Sequence, residues 1–228
     1  MKKILQNAIQ NNQKALSEYE SKLVIREAGI AITTEYLAQT REEAVARASA
    51  MGYPVVLKGC SHTLMHKTES GMVMLNLSSD DDVARAYDDI INRSPSLEGV
   101  LVQEMIKGNR EFVIGMTRDP NFGPCIMFGL GGIFTEVLKD ISFRIAPLTH
   151  DDALEMINEL KTRELLDEFR GSPAVDKEAL AQALVGLGNL ACEHDEIAEI
   201  DINPLIIAGN RPVAVDALVI LKNAKGQD

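Results

Sequence analysis

Along this chain, short apolar runs rich in valine, isoleucine, leucine and methionine alternate with longer stretches that begin at helix-capping residues. Ser17-Glu18-Tyr19-Glu20 has the form of a capping box and predicts a helix to about Gly29, where glycine can end it. Thr40-Arg41-Glu42-Glu43 predicts another, ending near Gly52. Ser79 caps a third up to about Arg93, Thr149 precedes one near 150–161, and Asp176 begins a longer one ending near His194. The β-rich runs between them predict strands at 53–58, 72–77, 100–105, 111–117 and 124–128. Further strands are expected at 133–138, 142–145, 197–202, 205–208 and 213–221.

Helices and strands mix without strict alternation, and the successive strands in the middle favour antiparallel pairing. The pattern predicts an α+β fold in two lobes joined near 102–108, where an apolar strand gives way to Lys107-Gly108-Asn109. A cleft between two such lobes is a common place for a ligand.

Composition narrows the function. The 228 residues are 46% apolar and 25% charged, so the chain can bury a proper core and is not mainly disordered. No apolar run approaches the roughly 18–20 residues of a membrane span, and residues 1–13 lack the apolar centre of a signal peptide; a cytoplasmic protein, with no membrane partner, is the simplest expectation. Cys60, Cys125 and Cys192 are odd in number and far apart, which suggests neither a zinc ribbon nor a disulfide framework. The net charge is -11 and the cations are scattered, so nucleic-acid binding is disfavoured. An acidic chain can still hold a polyphosphate with a few local cations, backbone amides and a carboxylate-bound metal.

Four segments carry candidate chemistry. Lys58, ending an apolar run, could meet a phosphate as a point charge, or could be a surface lysine at a strand end. The polar stretch 61–71 holds His62 and His66; a neutral imidazole is a good nucleophile toward phosphorus, although loop histidines often have no role, and a metal pair is a weaker reading. Gly129-Leu130-Gly131-Gly132 follows a strand, and its N–H groups could cradle phosphate, but a tight turn would look the same. It matches neither a Walker loop nor a dinucleotide fingerprint. In Glu199-Ile200-Asp201-Ile202-Asn203-Pro204, strand alternation puts three oxygen-bearing side chains on one face, which suits Mg²⁺, although an exposed strand face would look the same. Asp216 stands among apolar neighbours, where a carboxylate is costly unless paired or metal-bound.

Taken in order, these segments resemble the ATP-grasp family, and within it the β subunits of ADP-forming acyl-CoA synthetases. The landmarks run from Glu18-Tyr19-Glu20-Ser21-Lys22 through Leu57-Lys58, His66-Lys67-Thr68-Glu69 and Val102-Gln103-Glu104-Met105 to Gly129-Leu130-Gly131-Gly132 with Glu136. Arg144-Ile145-Ala146-Pro147-Leu148, Arg170-Gly171, residues 199–204 and Asp216-Ala217 complete the series, which covers nearly the whole chain. Succinyl-CoA synthetase β subunits are similar at fewer points. Two departures stand out: His62 where relatives carry proline, and Met72 where a second glycine is usual.

The resemblance implies an N-terminal helical segment (1–20), an ATP-grasp N-terminal lobe (21–102) and a C-terminal lobe (103–228) with the nucleotide cleft between them. It implies that Lys58 contacts nucleotide phosphates, that Glu104, Met105 and Ile106 grip adenine, and that Glu111 approaches ribose. It further implies that Asp201, Asn203 and Asp216 hold Mg²⁺, that Gly131, Gly132 and Arg144 attend the transferred phosphate, and that His66 carries it transiently. ADP or ATP would be the nucleotide substrate. The partner would be a CoA-binding α subunit, in a tetramer of two α and two β chains. Two other readings are a regulatory or detached ATP-grasp module of a fused acyltransferase and a stand-alone carboxylate–amine ligase, which leaves the His66 segment unexplained.

Overall fold

A computed structural model describes residues 1–63, 71–94, 96–132, 139–168 and 171–222. The chain forms two compact units, one of residues 16–19 and 33–106 and the other of 1–15, 20–32 and 107–228. The units are not consecutive stretches, so the linear division at residues 20 and 102 gives way to an interleaved one. No helix among the described residues is long and apolar enough to cross a membrane.

The first unit is built on a four-stranded antiparallel sheet of β1 (Glu35–Ala38), β2 (Val55–Cys60), β3 (Val73–Leu77) and β4 (Gly99–Glu104), ordered β1-β4-β2-β3. Helices α3 (Arg41–Met51) and α4 (Asp80–Arg93) cover one face. Their starts follow the sequence signals: the Thr40 hydroxyl accepts from Glu43 N at 3.2 Å, and Ser79 does the same for Asp82 N. Aspartates 80–82 then sit where the helix dipole is positive. Val55, Leu57, Val100 and Val102 pack with Ala44, Ala48, Val83 and Ile90 in the core. Alternation turns Val56 and Lys58 to the other face, yet every residue of β2 is buried.

The second unit holds a six-stranded sheet ordered β10-β8-β5-β6-β7, with β9 also on β8. The strands are β5 (Glu111–Asp119), β6 (Gly123–Leu130), β7 (Ile141–Ile145), β8 (Ile197–Ala208), β9 (Arg211–Ala214) and β10 (Leu218–Leu221). Helices α5 (His150–Glu159) and α6 (Lys177–Glu193) pack together on one face, and α1 (Lys2–Gln10) and most of α2 (Glu18–Glu27) belong to the same unit. Phe112 and Phe128 stack in the core with centroids 5.5 Å apart. Gly186 of α6 lies so close to the Ala28 carbonyl that a Cβ would stand 1.9 Å from it.

Two strand expectations change. The runs at 197–202 and 205–208 form one strand, because β5 pairs with β8 along both. The run at 213–221 divides, because β9 and β10 lie end to end along the opposite edge of β8, with a break at 215–217. The expected strand at 133–138 lies outside the described residues.

Candidate functional site

The break between β9 and β10 positions Asp216, and β8 positions the other oxygen donors. Ile200 and Ile202 are buried, while Glu199, Asp201 and Asn203 turn to the opposite, partly open face. Burial first, and then the negative charges of Glu199 and Asp216, push the Asp201 carboxyl up to about 6. These acids are therefore close enough to repel one another. Among the described residues no three Asp, Glu, His or Cys side chains close round one point as a complete metal cage. Mg²⁺ does not need one: it binds through one or two carboxylates, substrate phosphates and waters. Carboxylates whose charge raises that of a neighbouring acid fit such an ion arriving with a nucleotide.

In the first unit, Lys58 is only 4% exposed, and its Nζ lies 2.7 Å from Glu18 Oε1. Burying both charges costs several kcal/mol before their attraction is counted, which makes a purely structural lysine an uneconomical choice here. Glu104 ends β4, donating its N–H to the Thr34 carbonyl at 3.0 Å and accepting Thr34 N–H at 2.6 Å with its carboxylate. Its side chain thus fastens the backbone at Thr34, just before β1, and lines a cavity of about 260 Å³ with Tyr36 and Arg47. The backbone of Met105 and Ile106 continues from it, both side chains partly buried.

In the second unit, Glu111, Gly131 and Gly132 come together in a cavity of about 400 Å³, which Arg110, Phe112 and Leu165 also line. Gly131 donates its N–H to the Glu111 carbonyl at 2.8 Å, and a Cβ there would stand 2.7 Å from the Phe112 carbonyl. Close backbone packing against β5 explains that glycine, and its amide is already committed, so it is not a phosphate donor. At Gly132, with φ +69, a Cβ would meet Glu111 Oε2 at 2.9 Å.

Arg144 does not join these groups. The pairing register puts Asp201, Gly115, Met127 and Phe143 in one row, and Ile200, Met116, Ile126 and Arg144 in the next, facing the other way. There Arg144 pairs with Glu159 at 2.5 Å and Glu155 at 3.5 Å on α5. Its charge joins strand to helix on the side away from Asp201.

His66, with the rest of 64–70, lies outside the described residues, as do Glu136 and Arg170. Before that segment, His62 gives its backbone N–H to Glu98 at 2.9 Å, and its ring meets the same carboxylate at 2.5 Å. Sequence reasoning missed two residues. Glu18 was read as part of a helix start and of the first family landmark but given no role at the site, and its pairing with a lysine 40 positions on carries no local signal. Arg110 is buried and donates to the carbonyls of Leu165, Asp167, Pro173 and Gly209, joining the backbone at these points to the start of β5.

Comparison with known proteins gives the family. The family description "ATP-grasp domain" matches residues 7–221. The β subunit of an ADP-forming acetate–CoA ligase I from Pyrococcus furiosus is 43% identical over 226 residues, covering 96% of this chain and 97% of that one. A single-chain acetate–CoA ligase (ADP-forming) I from Archaeoglobus fulgidus is 41% identical over 87% of this chain, which spans 30% of it. Among solved structures, an acetyl-coenzyme A synthetase 1 of Ca. Korarchaeum cryptofilum superposes with a TM-score of 0.86 at 44% identity, covering 97% of this chain and 99% of that one. That protein was solved with coenzyme A and Mg-AMPPCP, its phosphohistidine segment pointing towards the nucleotide site.

Proposed function

The chain belongs to the ATP-grasp family, and from that premise we propose that it is the nucleotide-binding subunit of an ADP-forming acyl-CoA ligase. The reaction would be acyl-CoA, ADP and phosphate giving carboxylic acid, ATP and CoA, reversibly. The observation that carries this reading is the set of mutually repelling acids around Asp201, a site that asks for a cation and phosphate oxygens.

The four-stranded unit would supply Lys58 to the phosphates, in exchange for part of its pairing with Glu18, and the backbone of Glu104, Met105 and Ile106 to adenine. The six-stranded unit would supply Asp201, Asn203 and Asp216 to Mg²⁺ and Glu111 to ribose. Bound there, Mg²⁺ would neutralise charge on the phosphate oxygens. His66 would carry the phosphoryl group: its P–N bond breaks as a terminal ADP oxygen forms the new P–O bond, and the imidazole keeps the electron pair. Little covalent work falls to the protein, so positioning and charge neutralisation supply the rate. A CoA-binding partner subunit would make the acyl phosphate and pass its phosphoryl group on.

The test is phosphohistidine detection after incubation with labelled ATP and Mg²⁺, alone and with the co-expressed CoA-binding subunit, beside a His66→Ala variant. Acid-labile label on the wild type and none on the variant is the expected result. Nucleotide binding without label under either condition would favour a regulatory ATP-grasp module instead.

A further inference from the structure

The outward face of the six-stranded sheet, away from α5 and α6, changes character across its width. At β8 it carries Glu199 and Asp201. Through the register, Asp201, Gly115, Met127 and Phe143 form one row, and Glu199, Thr117, Cys125 and Ile145 the next. Both rows end on β7, the last strand in the sheet order. There Ile141, Phe143 and Ile145 are 38%, 49% and 50% exposed, while Ser142 between them is buried. Phe122, beside the Ile145 end at the tip of the β5–β6 hairpin, is 64% exposed.

Four of the six large apolar side chains left exposed among the described residues therefore gather at one sheet edge. Single exposed apolar residues need no explanation; a cluster does. Among the described residues β7 closes one edge of the sheet, where proteins usually cover or charge a strand, and it has no charge on this face. We propose that the outward face of β7, centred on Phe143 and Ile145, is the docking surface for the CoA-binding subunit. The proposal rests on the functional reading above.

Two observations select that occupant. Relatives exist both as a separate subunit of this length and as long single chains of which this unit spans 30%. In the long form the remainder is tethered covalently; the separate form needs a non-covalent interface, whose fully buried centre is typically enriched in apolar and aromatic side chains. The second is continuity with the acids. Phe143 stands three strands from Asp201 along one row, about 14 Å at the usual strand spacing. A partner seated on β7 would have the nucleotide end of the same face within reach, without covering Glu199 or Asp201.

The experiment uses the full chain co-expressed with the CoA-binding subunit of the same organism, as wild type and as the double variant Phe143→Ser/Ile145→Ser. Subunit affinity is measured by analytical ultracentrifugation, with Mg-ADP affinity and thermal melting of the isolated chain as controls. The expected result is at least a tenfold loss of subunit affinity, with Mg-ADP affinity and melting unchanged. Subunit affinity within twofold of wild type would overturn the proposal and leave the functional reading standing. An isolated wild type that dimerises, with a monomeric double variant that still binds its partner normally, would overturn it in favour of self-association. A wild type that binds neither Mg-ADP nor the partner would overturn the functional reading, and the docking surface with it.

Discussion

Lys58 and Glu18, forty positions apart, meet at 2.7 Å with both side chains almost wholly excluded from solvent. The pair ties the start of α2 to β2, and it holds the lysine proposed for nucleotide phosphates on a buried strand. Removing one charge takes from the other its 2.7 Å partner in a low-dielectric site, which costs more than removing both.

Lys58→Met should therefore destabilise the chain by about 3 kcal/mol, and Glu18→Gln by a comparable amount. The double variant should recover much of that loss while still failing to bind ADP tightly. Urea unfolding of all four proteins, combined as a double-mutant cycle, checks the coupling; additive losses would show that the pair does not act as a unit.

At Asp201 stability and binding should move in opposite directions. Asp201→Asn removes a carboxylate that burial and two neighbouring charges disfavour. Without Mg²⁺ the variant should be more stable than wild type at pH 7 by on the order of 1–3 kcal/mol. Its affinity for Mg-ADP should fall at least tenfold. Melting with and without Mg-ADP would show both, and a variant that is no more stable than wild type in the absence of ligand contradicts the account.

A helical glycine replaced by alanine normally gains up to about 1 kcal/mol. Gly186→Ala should do the reverse and cost about 2–3 kcal/mol, because the new methyl would collide with the Ala28 carbonyl and α6 would have to shift. Chemical denaturation gives the sign directly.

Glu159 sets an acid limit on the α5–β7 junction. Its carboxyl is held down to about 2, first by the Arg144 guanidinium and then by the Ser142 hydroxyl, against an ordinary 4.5. A depressed folded-state value gives stability that is complete above 4.5 and is lost as pH falls toward 2. Glu159 is half exposed, so solvent screening keeps the amount to about 1 kcal/mol or less. Glu159→Gln should flatten this part of the stability–pH curve between pH 4.5 and 2 and leave Mg-ADP binding at neutral pH as it was.

Local chemistry was legible where it had one local cause. Ser79 and Arg93 bracket α4 as expected, since a cap and its N–H partner lie three residues apart. The alternation at 199–203 put Ile200 and Ile202 inside and the oxygen donors outside, because period two leaves no other choice for a half-buried strand. Relations across long sequence separations were not legible. Arg144 stood in a family motif, but only the register of β6 with β7 reveals that it faces α5. Gly131 looked like a phosphate cradle because a glycine that meets a ligand and a glycine that meets Phe112 look the same in one dimension.

The interleaving of the two units has a consequence for how the protein emerges from the ribosome. Residues 33–106 can close their sheet as soon as β4 has been made. The second unit cannot: β5 starts at Glu111, yet the strand that covers one of its edges, β8, ends at Ala208. Roughly a hundred residues separate the two, or about 5–20 s of translation at typical rates. Through that interval the side chains of Phe112, Ile114 and Met116 have only β6 and whatever helices have formed to shelter them. Slow synthesis or a pause before residue 197 should therefore lower soluble yield more than a pause of the same length within 33–106.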